Sequence, residues 1–265
     1  MAAIITGASK GIGLALAERL TADGHVVYSF SRTVPPNPQI KHVFCDVSNE
    51  QSIDTAFKEF FEKETQIDIL VNNAGIGISG AAEYADEKDI KNIFDVNFHG
   101  AVRCSRHVIG KMRDQGHGKI VFVSSATAIF SIPFQSFYTA TKAAISAFSE
   151  GLRMELRPFS IQVGSILVCD TRTQFTANRK KSTKGEEHYG KRIERSVAVM
   201  EKDEQNGMTA EKTAKKIAKY LGKRKMKGCK AVGSQFKVPL SVLLFVNRIL
   251  PRKWVLGILY RIYGK

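Results

Sequence analysis

From Ala2 to Leu167, short apolar runs alternate with segments of helical periodicity, and this alternation limits the possible folds more than any other feature of the chain. Ala2-Ala3-Ile4-Ile5 runs into a glycine-rich turn, Thr6-Gly-Ala-Ser-Lys-Gly-Ile-Gly13, after which Leu14, Leu16, Ala17 and Leu20 recur at helical spacing. His25-Val-Val-Tyr-Ser-Phe30 reads as a second strand, Pro35-Pro-Asn-Pro38 as an irregular loop, and His42-Val-Phe-Cys45 as a third strand. Ile53, Phe57, Phe60 and Phe61 form the apolar face of a helix before the strand Ile67-Asp-Ile-Leu-Val71. A helix from about Glu87 towards Met112, a buried strand at Lys119-Ile-Val-Phe-Val123, a helix over 138–157 and a strand from Ile161 to Leu167 continue the pattern. Repeated strand-helix alternation predicts an α/β class chain: a single doubly wound Rossmann-type domain, a parallel sheet with helices on both faces. In such folds ligands bind at the carboxyl ends of the strands, where the polar clusters Gly7–Gly13, Asp46, Asn72–Gly75 and Ser125 all fall.

A length of 265 residues suits one such domain, expected over 1–235, followed by an apolar and basic tail at 236–265. The formal net charge of +15 is unevenly placed. Residues 1–170 carry 16 Lys and Arg against 18 Asp and Glu, whereas residues 171–265 carry 24 against 7. There is no zinc-finger spacing, no RNA-binding signature and no basic stripe interleaved with aromatics, so nucleic acid is not an expected partner. A local basic patch better fits an anionic membrane surface or an acidic substrate carrier. Cys45, Cys104, Cys169 and Cys229 show no paired ligand spacing, so neither a metal site nor a disulfide framework is expected. With no secretory leader pattern at the start, the expected setting is cytoplasmic and reducing.

Tyr138 and Lys142 stand four residues apart in the last long helical segment, so they share one helical face. A nearby ammonium favours the phenolate, and the expectation is that Lys142 lowers the Tyr138 pKa into a range where the phenol can exchange a proton at neutral pH. The glycine-rich turn between a strand and a helix can receive a pyrophosphate on its backbone N–H groups, so hydride chemistry can accompany the proton.

The turn has the pattern GxxxGxG at Gly7, Gly11 and Gly13, and it resembles the cofactor loop of the short-chain dehydrogenase/reductase family. Four further matches follow in order: Asn72-Asn-Ala-Gly75 resembles the family's NNAG, Asn97 its helix asparagine, Ser125 its catalytic serine, and Tyr138 with Lys142 its YxxxK. The resemblance implies catalytic roles for Tyr138, Lys142, Ser125 and Asn97. Tyr138 would protonate the alkoxide, Ser125 would hydrogen-bond the substrate oxygen, Lys142 would contact the nicotinamide ribose, and Asn97 would order a water relay. It further implies cofactor contacts at Gly7, Ser9, Lys10, Gly11, Ile12, Gly13, Asp46, Val47, Asn73, Ala74, Gly75 and Thr173. Where the family usually has Pro-Gly after its nicotinamide-contacting strand, this chain has Val168-Cys169.

An acid that binds a ribose 2′-OH usually ends the second strand of an NAD reader, whereas a 2′-phosphate needs cations. Ser31-Arg32 stands there, with Lys10 in the loop, so the expected cofactor is NADP(H). Residues 171–208 have weak apolar periodicity and are expected to form a mobile loop that acts as a substrate lid. The small residues Ala143, Ala144, Ala147 and Gly151 leave a face on the Tyr138 helix that suits a homodimer or homotetramer. The tail's apolar runs, Leu240 to Val246 and Trp254 to Tyr260, are each short of the ~20 residues a membrane span needs. They can lie on an anionic membrane or pack on the chain's own domain over the substrate pocket. Two functions are therefore carried forward. One is an NADPH-dependent carbonyl reductase, reversibly an alcohol dehydrogenase, on a lipophilic ketone or aldehyde. The other is a catalytically silent NADP-binding module that regulates or contacts a membrane surface. Long-chain keto lipids, steroids, retinoid-like aldehydes and carrier-linked ketoacyl groups all remain open as substrates.

Overall fold

The computed structural model describes residues 1–235 and 238–265, so the expected start of the tail at 236 lies outside the described residues. Strands β1 (Ala2–Thr6), β2 (Val26–Ser31) and β3 (Lys41–Phe44) alternate with helices α1 (Gly11–Ala22) and α2 (Glu50–Lys63). Then follow β4 (Ile69–Asn72), α3 (Glu87–Phe94), a π-helical turn at Asp95–His99, α4 (Gly100–Gln115), β5 (Gly118–Ser125), α5 (Ser136–Leu156) and β6 (Ile161–Val168). Helices α6 (Arg192–Asn206) and α7 (Ala210–Leu221), strand β7 (Cys229–Val232), and helices α8 (Leu240–Ile249) and α9 (Arg252–Tyr263) complete the order. The seven strands form one parallel sheet in the order β7-β6-β5-β4-β1-β2-β3, with the chain reversing direction across the sheet at β1 and β4.

The apolar strand runs fill both faces because successive side chains point to opposite sides. Ile4, Tyr28, Phe30, Leu70, Ile120 and Phe122 pack against Ile53, Phe57 and Phe60 of α2, Val108 and Met112 of α4, and Ile145 and Leu152 of α5. Their neighbours Ile5, Val27, Val71, Val121 and Val123 face the other way, onto Leu16 and Leu20 of α1 and Ile217 and Leu221 of α7. Phe60 is fully buried edge-on to Tyr28, with ring centroids 4.9 Å apart. Burying a side chain of that size stabilises the fold by roughly 1.5–3 kcal/mol, and a dozen such residues anchor the two layers.

Residues 171–208 do not form the loop expected from their weak periodicity. Thr171–Arg172 pairs with Met208–Thr209, so the two ends of the segment are tied together, and Lys180–Lys181 pairs with Ile78–Ser79. Between them α6 buries Ile193, Ser196, Val197 and Met200. Its apolar partners, Leu259, Ile262 and Tyr263, lie in α9. Much of the segment's charge is also neutralised: Lys180 meets Asp89 at 2.5 Å, Lys181 meets Glu201 at 2.5 Å, Lys184 meets Asp86 at 2.7 Å, and the buried Arg179 pairs with Glu204. No helix among the described residues is long and apolar enough to cross a membrane.

Candidate functional site

The carboxyl ends of β1, β4, β5 and β6 open into a cleft of about 610 Å³. Its floor is knitted by side chains that bond to backbone. The Thr6 hydroxyl accepts from the amides of Asn73 and Ala74, both at 3.0 Å, and the Asn73 side chain donates back to the carbonyls of Thr6 and Gly7 at 3.0 and 3.2 Å. Two loops distant in sequence are thereby locked at one level. Gly7 and Gly11 hold φ of 66° and 59°, the left-handed region that glycine enters freely. A Cβ on Gly13 would lie 2.5 Å from the Gly7 carbonyl oxygen, so this first turn of α1 tolerates no side chain. Helix α1 is preceded by Lys10, which gives it no side-chain cap, and has no acid in its first turn. Such an end leaves N–H groups and the positive pole of the helix available to an anion.

Gly7, Ser9, Lys10, Gly11 and Ile12 line this end of the cleft, with Ser31, Arg32, Asp46 and Val47 further along the same wall and Asn73, Ala74 and Gly75 beneath. Thr173 closes over Gly11, whose added Cβ would meet it at 3.5 Å. The Ser31 hydroxyl is committed elsewhere, sharing a hydrogen bond with Ser29 at 2.8 Å and donating to the Thr33 carbonyl at 2.8 Å. Arg32 is an exposed cation at the wall, its side chain 70% accessible. An acid from beyond the third strand stands beside it: the Asp46 carboxylate lies 3.8 Å away. That carboxylate also accepts from the Ser48 amide and hydroxyl at 3.0 and 2.7 Å, which fixes its position.

At the centre Tyr138, Ser125 and Lys142 converge. Ser125 ends β5, and α5 places Tyr138 and Lys142 on the face directed at that strand end. The chain enters α5 through Phe134, a bulky residue at φ 60°, whose carbonyl accepts from Gly80 at 2.9 Å. The buried Lys142 donates to the Val123 carbonyl at 2.9 Å and lies 5.7 Å from the centre of the Tyr138 ring. Asn97 sits just behind the cleft in the π-helical turn, its side chain accepting from the Ile76 amide at 2.8 Å and donating to the Ile76 carbonyl and Thr141 at 3.0 and 3.1 Å. Gly13 likewise lies behind the cleft wall, against Gly7 and Asn73.

The electrostatics correct one expectation. Burial pushes the Tyr138 phenol up to about 12; its hydrogen bond with Ser125 pulls the other way, and Glu204 and Asp170 add to the rise. Burial pushes Lys142 down to about 8. Lys142 still carries its charge at neutral pH, but the burial of the phenol outweighs the pull of its neighbours, so the expected lowering of the Tyr138 pKa is not found in this state. The phenol is held protonated across the neutral range, the form that can donate.

Beyond Tyr138 the cleft continues into a pocket that the apolar runs of the tail help to close, as one of the two readings of the tail expected. Phe175 packs on the Tyr138 ring with centroids 5.7 Å apart, and Met200 of α6, Leu240 and Leu243 of α8, and Leu259 and Tyr263 of α9 form the outer wall. Asp170, Asp203 and Glu204 add acids; Tyr263 donates to Asp203 at 2.8 Å. Asp170 follows a strand end and could have been found by that rule, whereas Asp203 and Tyr263 reach the pocket only through tertiary packing. Cys169 is buried against Gly233, and burial pushes its thiol up to about 12, which describes a packing residue and not a nucleophile. All four cysteines are free.

Comparison with known proteins agrees with this geometry. The family model for short chain dehydrogenases matches residues 1–184. The chain belongs to the short-chain dehydrogenase family. Within it, a 3-ketodihydrosphingosine reductase of Bacteroides thetaiotaomicron is 37% identical over 224 residues, which cover 83% of each chain. An NADPH-dependent 1-acyldihydroxyacetone phosphate reductase of Saccharomyces cerevisiae is 31% identical over 67% of this chain and 63% of its own. The solved structure of a short-chain dehydrogenase from Streptomyces avermitilis superposes with a TM-score of 0.84 at 27% identity, over 96% of this chain and 95% of the other. This short-chain dehydrogenase is thus an oxidoreductase that acts on CH–OH and C=O groups with a nicotinamide cofactor.

Proposed function

We propose that this short-chain dehydrogenase is an NADPH-dependent reductase of a lipophilic ketone or aldehyde, reversibly an alcohol dehydrogenase, with Tyr138 as proton donor. The observation that carries the reading is the shared cleft: Tyr138, Ser125 and Lys142 meet where the wall with the glycine-rich loop gives way to a pocket with an apolar outer side. The residues fit the cofactor, since the Gly7–Gly13 loop offers a cradle that a Cβ would fill and an uncapped helix start. Bound NADPH would supply the hydride.

The chain's own residues do the rest. Ser125 hydrogen-bonds the substrate oxygen and orients the carbonyl towards the cofactor wall. Tyr138, protonated at neutral pH, gives its proton to that oxygen as negative charge develops. Lys142, held by the Val123 carbonyl, keeps a donor beside the phenol that favours the phenolate left behind. Asn97 holds the Ile76 backbone, and with it the loop under the cleft, in place. Lys10 and Arg32 would attract a 2′-phosphate, and the name of the yeast relative is consistent with that cofactor. Thr173 and the segment 171–208 would cover the bound pair. Among substrates a long-chain keto lipid is favoured, because both curated relatives described above are named for lipid ketones and the outer pocket wall is apolar. Self-association through the small-residue face of α5, a cytoplasmic setting and peripheral contact with an anionic membrane through the tail complete the proposal.

NADPH oxidation over a panel of ketones and aldehydes tests it, with Tyr138→Phe as the decisive variant. Loss of an acid of this kind costs on the order of 10²–10⁴-fold in rate. Turnover should fall by that factor while NADPH affinity stays within about three-fold of wild type; near-normal turnover would remove Tyr138 from the mechanism.

A further inference from the structure

The large apolar side chains left in solvent are not scattered. Of the fourteen among the described residues, eight fall between Val242 and Tyr260. On α8, Val242, Phe245, Val246 and Ile249 recur at helical spacing along one exposed side, while Leu240 is buried and Leu243 lines the cleft. On α9, Trp254, Leu256, Ile258 and Tyr260 are exposed, whereas Val255 and Tyr263 are buried and Leu259 lines the cleft. Each helix therefore has one side on the pocket and another that is exposed among the described residues, with Arg192 reaching only the Tyr260 end. A patch of this size and continuity marks an interaction surface.

Its chemistry selects the partner. The described residues 238–265 include Arg248, Arg252, Lys253, Arg261 and Lys265 and no acid at all. No acid among the described residues pairs with any of these five, in contrast to the ion-paired cations of residues 179–184. Arg248, Arg252 and Lys253 lie within the apolar stretch itself, beside Ile249 and Trp254 at the bend that Pro251 makes between the helices. Exposed apolar and aromatic side chains interleaved with uncompensated cations, on helices of 10 and 12 residues, match the interface of an anionic bilayer, where such helices lie in the plane. A second copy of this chain would bring the same five cations against themselves.

We propose that α8 and α9 form a membrane-docking surface for anionic phospholipid, with the bilayer against the outer wall of the substrate pocket. A ketone dissolved in the bilayer then reaches Tyr138 past Leu243 and Leu259 without crossing water; this consequence rests on the reductase reading above, whereas the docking does not. Trp254 is the chain's single tryptophan, so its emission reports the contact directly.

The test uses the full chain with vesicles of pure phosphatidylcholine, and of two parts phosphatidylcholine to one part phosphatidylglycerol. Wild type should co-sediment with the anionic vesicles and shift its tryptophan emission to the blue, far less so with the neutral ones. Arg252→Glu with Lys253→Glu should weaken binding by at least about five-fold for each charge removed at low ionic strength. Phe245→Glu with Ile249→Glu, which keeps the probe, should abolish it; both pairs are exposed, and far-ultraviolet circular dichroism confirms that each variant is folded. In the same vesicles the variants should reduce an embedded long-chain ketone at least ten-fold more slowly, with the rate on a short water-soluble ketone unchanged. Failure of wild type to bind anionic vesicles overturns the proposal, as does equal binding by the variants. A self-associated wild type that Phe245→Glu with Ile249→Glu dissociates, with no vesicle binding, assigns the patch to a second copy and also overturns it. Vesicle binding without turnover of either ketone supports the docking surface and removes the reductase reading instead.

Discussion

Lys142 is held by a neutral partner, the Val123 carbonyl, in a site dry enough to bring its pKa from 10.5 down to about 8. Between those two values the unfolded chain binds the proton and the folded chain does not, so folding stability rises with pH across that window. Tyr138 contributes with the opposite sign only from pH 10 to about 12, where the folded chain keeps a proton that the unfolded chain loses. Urea unfolding of wild type and Lys142→Met at about pH 7 and about pH 10 isolates the lysine. Wild type should gain roughly 2 kcal/mol on the variant over that interval; parallel behaviour would mean that the ammonium is not desolvated. In the proposed NADPH reading, Arg32 carries the cofactor choice in the same local way. Its side chain is largely in solvent on the cleft wall, and a phosphate would have to draw it from Asp46, 3.8 Å away. Arg32→Glu should lower kcat/KM for NADPH by about ten- to a hundred-fold, the cost of a lost charged hydrogen bond, and leave the value for NADH within a few-fold. An unchanged ratio between the two cofactors would assign the preference elsewhere.

The elements divide into those whose partners are local in pattern and those whose partners are not. Strands β1 to β6 and helices α1, α2 and α5 were legible because each carries its own signal, a short apolar run for the strands and a period of 3.6 for the helices. Tyr138 and Lys142 were legible for the same reason, as a pair four apart on one helix. Helix α6 was not: Ile193, Val197 and Met200 form a thin stripe, and the residues that complete it lie some sixty positions later in α9. The pKa of Tyr138 was not legible either, since spacing puts a lysine near a phenol but says nothing of how dry the site is. Phe134 shows a third kind of silence, a backbone angle that only its surroundings can impose. Element-level dependence is sharpest at the start of α1. Gly13→Ala places a Cβ 2.5 Å from a backbone oxygen that cannot move without breaking the Asn73 bonds. It should cost about 1–3 kcal/mol and weaken NADPH binding at least ten-fold, read by thermal melting and fluorescence titration. Gly110→Ala, where a Cβ meets nothing within 4 Å, is the control and should leave both unchanged or slightly raise stability.

At the scale of the whole molecule the same residues acquire two jobs. The parallel sheet buries its strands on both faces and delivers Thr6, Asn72, Ser125 and Val168 to one edge, and this edge is the floor of the cleft. The last third of the chain then builds the outer wall: α6 folds under α9, and α8 and α9 close the pocket on one side while presenting cations and apolar residues on the other. Four cations of the basic last third, at residues 179–184, are held in ion pairs, whereas the five of the tail stand among exposed apolar side chains. The central claim is that this cleft carries a hydride from a nicotinamide to a lipophilic carbonyl, with the proton coming from Tyr138. NADPH deuterated at C4 of the nicotinamide, incubated with the chain and a vesicle-embedded long-chain ketone, measures it by the mass of the alcohol formed. The account requires an alcohol that carries one deuterium on its new carbinol carbon, formed by wild type and lost with Tyr138→Phe; alcohol without deuterium from either face of the cofactor, or the same labelled yield from the variant, would contradict it.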